Sequence, residues 1–199
     1  SLGADLGEFL LKRARTSAKN ALEYEAEIRK AAKKEGIEDV DGLIDDIKKI
    51  ADGGDNPNFS VINKKIKDYW TKFLTKKGVK IEIGTEEANR ILNVNFADGL
   101  FVRKGYDPVT NQFKEQIIYL KSNPSTSAFL EESYHALQSI EGVEKYKDVI
   151  YKGIHYKNID YWEFLAKKRI LEEAKKNGIS YEEYIFVEKQ LYDVLNKKY

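Results

Sequence analysis

The chain has 199 residues, enough for one substantial domain or a small core with an appended lobe, and its 34 basic against 33 acidic side chains leave a net charge of +1. That balance provides no general basic field for gripping phosphates, so composition predicts no nucleic-acid partner. Cysteine is absent, which excludes disulfides, thiol nucleophiles and thiolate ligands and leaves any metal site to His, Asp and Glu.

No run of about 18 apolar residues occurs and the N-terminus lacks the apolar region of a signal peptide, so a soluble chain without a membrane span is expected. Methionine is missing even at position 1, which suggests a segment cut or processed from a longer polypeptide. From Asp5 to about Glu35 the apolar residues Phe9, Leu10, Ala14, Ala18, Ala21, Leu22 and Ile28 recur at helical spacing, and Gly36 supplies a stop. A second helical pattern runs from Val40 to Ile50 and meets the breakers Asp52-Gly53-Gly54-Asp55-Asn56-Pro57, which read as a linker. A third, from Phe59 to Leu74, closes at Gly78. Residues 1–76 therefore read as an N-terminal helical lobe and residues 77–199 as a second unit.

After Gly78 the period changes. Val79, Ile81 and Ile83 alternate with charged residues as in a half-buried strand, and Thr85-Glu86-Glu87-Ala88 opens a short helix. Leu100–Arg103 and Phe113–Leu120 flank a turn-rich segment from Gly105 to Asn111, the pattern of a β-hairpin. Ser122-Asn123-Pro124-Ser125 begins the next helix, with Asn123 as its expected cap and Pro124 in its first position. Residues 141–159 read as an irregular connection with at most one short helix. Asp160 opens a helix expected to run from Tyr161 to about Asn177 before Gly178, and Ser180-Tyr181-Glu182-Glu183 has the form of a capping box starting the last one. The fold class expected is α+β, mainly helical, with a helical lobe followed by a small antiparallel sheet or hairpin packed against helices.

The residues that suggest chemistry lie in Phe129-Leu130-Glu131-Glu132-Ser133-Tyr134-His135-Ala136-Leu137-Gln138, which reads as the H-E-x-x-H motif with Glu131 in place of the first histidine. At 100° per residue from Ala128, Gln138, Glu131, His135 and Glu132 fall at about 280°, 300°, 340° and 40°, opposite an apolar arc from Phe129 round to Tyr134. Glu131 and His135 can then reach one ion while Glu132 stands beside it as a base for an attacking water. The same four residues would also make an ordinary solvent-facing stripe. Glu163 is the third acid of interest. With Asp160 it forms D-x-x-E and can complete a capping box, yet it shares a helix face with Ala166, Ile170 and Ala174, where a carboxylate wants a partner. His155, the other histidine, and Tyr156 and Tyr161 are accessory candidates for stabilising a transition state.

The stretch from Val79 to Tyr199 resembles the zincin-like metallopeptidase toxin domains found at the C-termini of bacterial polymorphic toxins. The resemblance is carried by Gln116–Leu120, Phe129–Gln138, Tyr161–Leu171 and the run from Asn177 through Glu183 to the terminal helix, in that order. It implies a peptidase hydrolysing peptide bonds through a metal-activated water, with Glu131, His135 and Glu163 as metal ligands and Glu132 as the general base. Zinc is the implied ion, with Mn or Fe suited because Glu131 replaces a histidine and makes the donor set harder. It also implies a peptide or protein substrate, a cognate immunity protein, and secretion or delivery into a target cell as part of a larger polypeptide. Two alternatives stand beside it: an inactive zincin-like binding module, and a toxin with nuclease or transferase chemistry.

Overall fold

The computed structural model describes residues 21–45 and 59–198. Helix α1 spans Ala21–Lys34, followed by a helical stretch over 40–45. The expected linker at 52–57 and the earlier part of the first helical pattern lie outside the described residues. Ile28 and Ala32 of α1 are fully buried with Ile44 against Tyr181 near the other end of the chain.

Helix α2, Lys64–Lys76, starts where the Asn63 side chain accepts from the Lys65 amide, the usual remedy for unpaired N–H groups at a helix start. Strand β1, Val79–Ile83, leads into helix α3, Glu86–Val94, capped by the Thr85 hydroxyl on the Ala88 amide with Glu86 and Glu87 in the first turn. Strands β2, Gly99–Asp107, and β3, Gln112–Leu120, form the expected hairpin. The sheet order is β1-β3-β2. Here the structure corrects the antiparallel expectation: β1 runs parallel to β3, with Ile81 opposite Ile118, because the chain crosses through α3 before returning as β2 on the far edge. β3 therefore sits in the middle and alternates its burial. Ile118 and Leu120 face the main core, while Ile117 and Tyr119 pack with Ala88 and Leu92 of α3 on the other side.

Helix α4, Thr126–Glu141, carries the motif. Its cap is Ser125, whose hydroxyl accepts from the Ala128 amide, rather than Asn123, which stands in the left-handed region at φ 50° ahead of the helix. Pro124 accordingly precedes the cap instead of occupying the first helical position.

Residues 141–159 are not an irregular connection. They hold strands β4, Tyr146–Tyr151, and β5, Ile154–Asp160, paired antiparallel in a two-stranded sheet. The turn is Lys152-Gly153, both at positive φ (50° and 78°), as a two-residue primed turn requires. Lysine in place of the usual Asn or Asp hides that turn in the sequence, and Val149 is the only residue of β4 that is buried, so the alternation is faint as well.

Helix α5, Tyr161–Glu172, follows β5 directly and ends earlier than Asn177. Helix α6, Tyr181–Leu195, closes the described fold. One main core joins Ile62, Trp70 and Leu74 from around α2 to Ile118, Leu130, Tyr134, Ile170, Val187 and Leu191. Trp70 meets the ring of Tyr134 edge-on at 5.4 Å, so α2 packs directly on the motif helix although its sequence pattern belongs to the N-terminal lobe. No helix among the described residues is long and apolar enough to cross a membrane.

Candidate metal centre

Two helices build the site, and each is fixed by its own start. α4 begins under the Ser125 cap, and the buried Glu183 carboxylate of α6 accepts from the Ser127 amide at 2.9 Å. A negative charge at a helix N-terminus is favoured by the exposed amides and the helix dipole. α5 begins where the Asp160 carboxylate accepts from the Glu163 amide at 3.2 Å. The Glu163 side chain does not fold back to complete the capping box. It reaches across to α4.

There Glu163 Oε1 lies 3.1 Å from His135 Nε2. Glu131, one turn earlier on α4, has Oε1 4.0 Å from the same nitrogen. One donor atom from each of Glu131, His135 and Glu163 falls within 4.8 Å of the others, so the structure brings together the three residues expected as ligands. The fourth member was given no role by sequence. Lys167, 4 % exposed and one turn after Glu163 on α5, places Nζ 3.0 Å from Glu131 and 2.8 Å from Glu163. Its i,i+4 spacing to Glu163 was the available signal.

The polar face of α4 is not a solvated stripe: Glu132, His135 and Gln138 are all buried. The Gln138 amide donates from Nε2 to the Trp162 carbonyl at 3.0 Å, which turns its Oε1 toward His135 Nδ1 at 2.9 Å. An amide oxygen only accepts, so Nδ1 carries a proton; Nε2 faces Glu163 Oε1 at 3.1 Å and donates to it, and loss of that second proton would free the Nε2 lone pair for a metal. The Trp162 ring stacks on the imidazole at 6.1 Å and 23°. Arg103 of β2 lies 4.9 Å over that indole, so the sheet braces the site from behind. Sequence reasoning placed Gln138 on the face of His135 but gave it no role, and Trp162 and Arg103 escaped it because their contacts here cross between elements.

Burial and neighbouring charge shift four groups here, Glu132, His135, Glu163 and Lys167. Burial pushes the Glu132 carboxyl up to about 8, helped by Glu131 and Glu163 and opposed by His135 and Lys167. Burial alone would lower His135, but the Glu163 hydrogen bond and the neighbouring carboxylates outweigh it and raise the imidazole to about 9. For Glu163 the order reverses. Burial would raise it, and His135 and Lys167 together hold it well below the usual carboxylate range. Lys167 is held above its ordinary value because the charges of Glu131 and Glu163 exceed the effect of burial.

Glu131 and Glu132 line a cleft of about 730 Å³ whose walls include Phe59, Phe96, Gly99 and Phe186. Gly99 is where β2 presses on the motif: a Cβ there would stand 2.9 Å from Glu132 Cγ and 3.3 Å from its Oε1. The backbone approach that fixes Glu132 thus requires glycine.

The accessory candidates are placed elsewhere in their contacts. His155 on β5 is exposed, with Asp148 at 3.6 Å. Tyr156 and Tyr161 pack against the main core, and Tyr161 lies under Lys147 and beside Phe164.

Two carboxylates and one imidazole from two helices form a donor set that could hold a metal ion, with His135 Nε2 toward the carboxylates. The residues fit a divalent cation. The chain matches no family model, no curated protein and no solved structure.

Proposed function

We propose that the protein is a metal-dependent peptidase whose centre is Glu131, His135 and Glu163 and whose proton carrier is Glu132. The observation that carries the reading is the meeting of those three donors from two helices beside a buried carboxyl that lines a cleft. The order of sequence pieces shared with zincin-like toxin domains points the same way.

A divalent cation held there supplies the Lewis acid, polarising a scissile carbonyl and making water acidic near neutral pH. The chain does the rest. Gln138 fixes the His135 tautomer, and the Asp160 cap sets the start of the helix that presents Glu163. Glu132 accepts a proton from the attacking water and delivers it to the departing amine as the C–N bond breaks. A carboxyl raised to about 8 is only partly ionised at neutral pH, and positive charge added nearby lowers it toward the working range. The cleft receives a peptide or protein chain. On the same resemblance, the domain acts in a target cell after delivery within a longer polypeptide and is restrained by a cognate immunity protein.

A second reading is favoured by one observation, the Lys167 ammonium between Glu131 and Glu163. On that reading the lysine replaces the ion permanently and the domain is an inactive binding module.

Elemental mass spectrometry after reconstitution with Zn, Mn and Fe separates the two. Near-stoichiometric metal is expected in the wild type and its loss in His135→Ala and Glu163→Ala. Glu132→Gln is expected to keep the metal and lose roughly 10²–10⁴-fold in peptide hydrolysis. A folded wild type that takes up none of the three metals sinks the peptidase reading and leaves the binding module.

A further inference from the structure

Lys167 is the least exposed of the charged side chains at the centre, and no surface role accounts for it. It is 4 % exposed, and both of its ion partners, Glu131 at 3.0 Å and Glu163 at 2.8 Å, belong to the donor set. A lysine buried this way is tolerated only with carboxylate partners. Glu131 Oε1, the oxygen 4.0 Å from His135 Nε2, is the one bonded to Lys167, while at Glu163 the lysine takes Oε2 and leaves Oε1 facing His135. A cation on Glu163 would stand within a few ångströms of the ammonium now bonded to that carboxylate, and like charges so close in a poorly screened interior repel strongly.

We propose that Lys167 is an internal competitor for the ion: its ammonium bridges Glu131 and Glu163 in the metal-free protein, and a divalent cation binds by displacing it. The inference rests on the assignment of Glu131, His135 and Glu163 as ligands. Lys167 thereby has two effects. It keeps α4 and α5 in register while no ion is bound, since one of its partners is on each helix. It also sets how much free metal is needed to load the centre, because an ion taking Glu131 Oε1 must displace the charge-assisted hydrogen bond on that atom, and the ammonium with it, before gaining its own contact.

The test uses the full chain as wild type, Lys167→Met and Lys167→Gln, with Zn²⁺ and Mn²⁺ alone titrated in competition with a chromophoric chelator. Removing the ammonium is expected to tighten binding roughly ten-fold or more, and to lower the melting temperature of the metal-free form, with metal restoring it. Equal or weaker binding in the folded variants overturns the proposal while leaving the peptidase reading in place. Metal uptake by the variants alone overturns displacement and, with it, the peptidase reading for the natural chain, and upholds the reading in which the lysine replaces the ion permanently. No uptake by any form overturns both. Should neither variant fold, the wild type decides by reductive methylation and mass spectrometry. Lys167 is expected to be protected without metal and at least about ten-fold more reactive with Zn²⁺, as a buried amine released from its partners would be. A Zn²⁺-loaded protein with Lys167 still protected overturns it.

Discussion

Phe96 stands at φ 51° and is 98 % exposed, a place where neither its backbone nor its ring gains from being phenylalanine. It occupies the position after the cap of α3: its amide donates to the Asn93 carbonyl, and the Ala97 amide donates to the Leu92 carbonyl at 3.0 Å. This is the two-bond helix ending that normally takes glycine. Phe96→Gly is expected to stabilise the protein by about 1 kcal/mol through relief of the left-handed conformation, read as a higher urea midpoint with an unchanged slope. A lower midpoint would show that the ring at the cleft wall packs on something the backbone argument omits. At this scale the sequence was readable where the chemistry is local. The four-residue spacing of Glu131 and His135 on one helix face follows from the helical repeat. The contacts of Lys167 with Glu131 and of Gln138 with the Trp162 carbonyl were not readable, because they depend on how closely α5 approaches α4, and no spacing within either helix encodes that distance.

Two helix starts carry the form of a capping box, and both use it in the same divided way. Asp160 and Ser180 accept from the amides of Glu163 and Glu183, as caps should. The two glutamate side chains go instead to α4: Glu163 to His135, and Glu183 to the Ser127 amide, with Ser60 Oγ also donating to it at 2.8 Å. Local pattern therefore located both helix starts correctly but not the destination of the carboxylates, which tertiary packing redirected. Glu183 fastens three pieces of chain at once: α6, the start of α4 and the segment at Ser60. Burial raises its pKa, and the hydrogen bonds from Ser127 and Ser60 pull it back. Glu183→Ala is expected to cost about 2–3 kcal/mol, since it leaves the Ser127 amide without its acceptor, whereas Glu183→Gln should lose less because it keeps an acceptor and removes a buried charge. Urea denaturation of the pair checks this. Equal losses would mean that the charge, and not the acceptor, holds the joint.

For the molecule as a whole, the buried centre makes stability depend on pH in a direction that can be worked out. Glu132 rises from 4.5 to about 8, so the native state holds a proton that the unfolded chain has released, and stability falls as pH climbs between those values. His135 rises from 6.5 to about 9, so its contribution is full below 6.5 and is lost as pH passes through 9. Glu163 is lowered, so its contribution is present above 4.5 and is lost on acidification. The melting temperature of the metal-free protein, followed in a chelating buffer, should therefore fall from pH 6.5 to 9, and less steeply in Glu132→Gln. A melting temperature that rises over that interval would contradict the charge arrangement. The α+β class and the β2–β3 hairpin were legible because alternation and turn residues are strong there. The β4–β5 pair was not, since only one face of β4 meets the core and at a single buried residue. Nor was the parallel pairing of β1, which no local pattern specifies. That pairing has a consequence for a chain growing from its N-terminal end. Among the described residues β1 pairs only with β3, so Val79, Ile81 and Ile83 are synthesised well before residues 112–120 exist to receive them. During that wait, Lys80 and Glu82, 3.0 Å apart in the finished fold, alternate with the apolar residues. Their charges guard the nascent strand against pairing with the wrong neighbour.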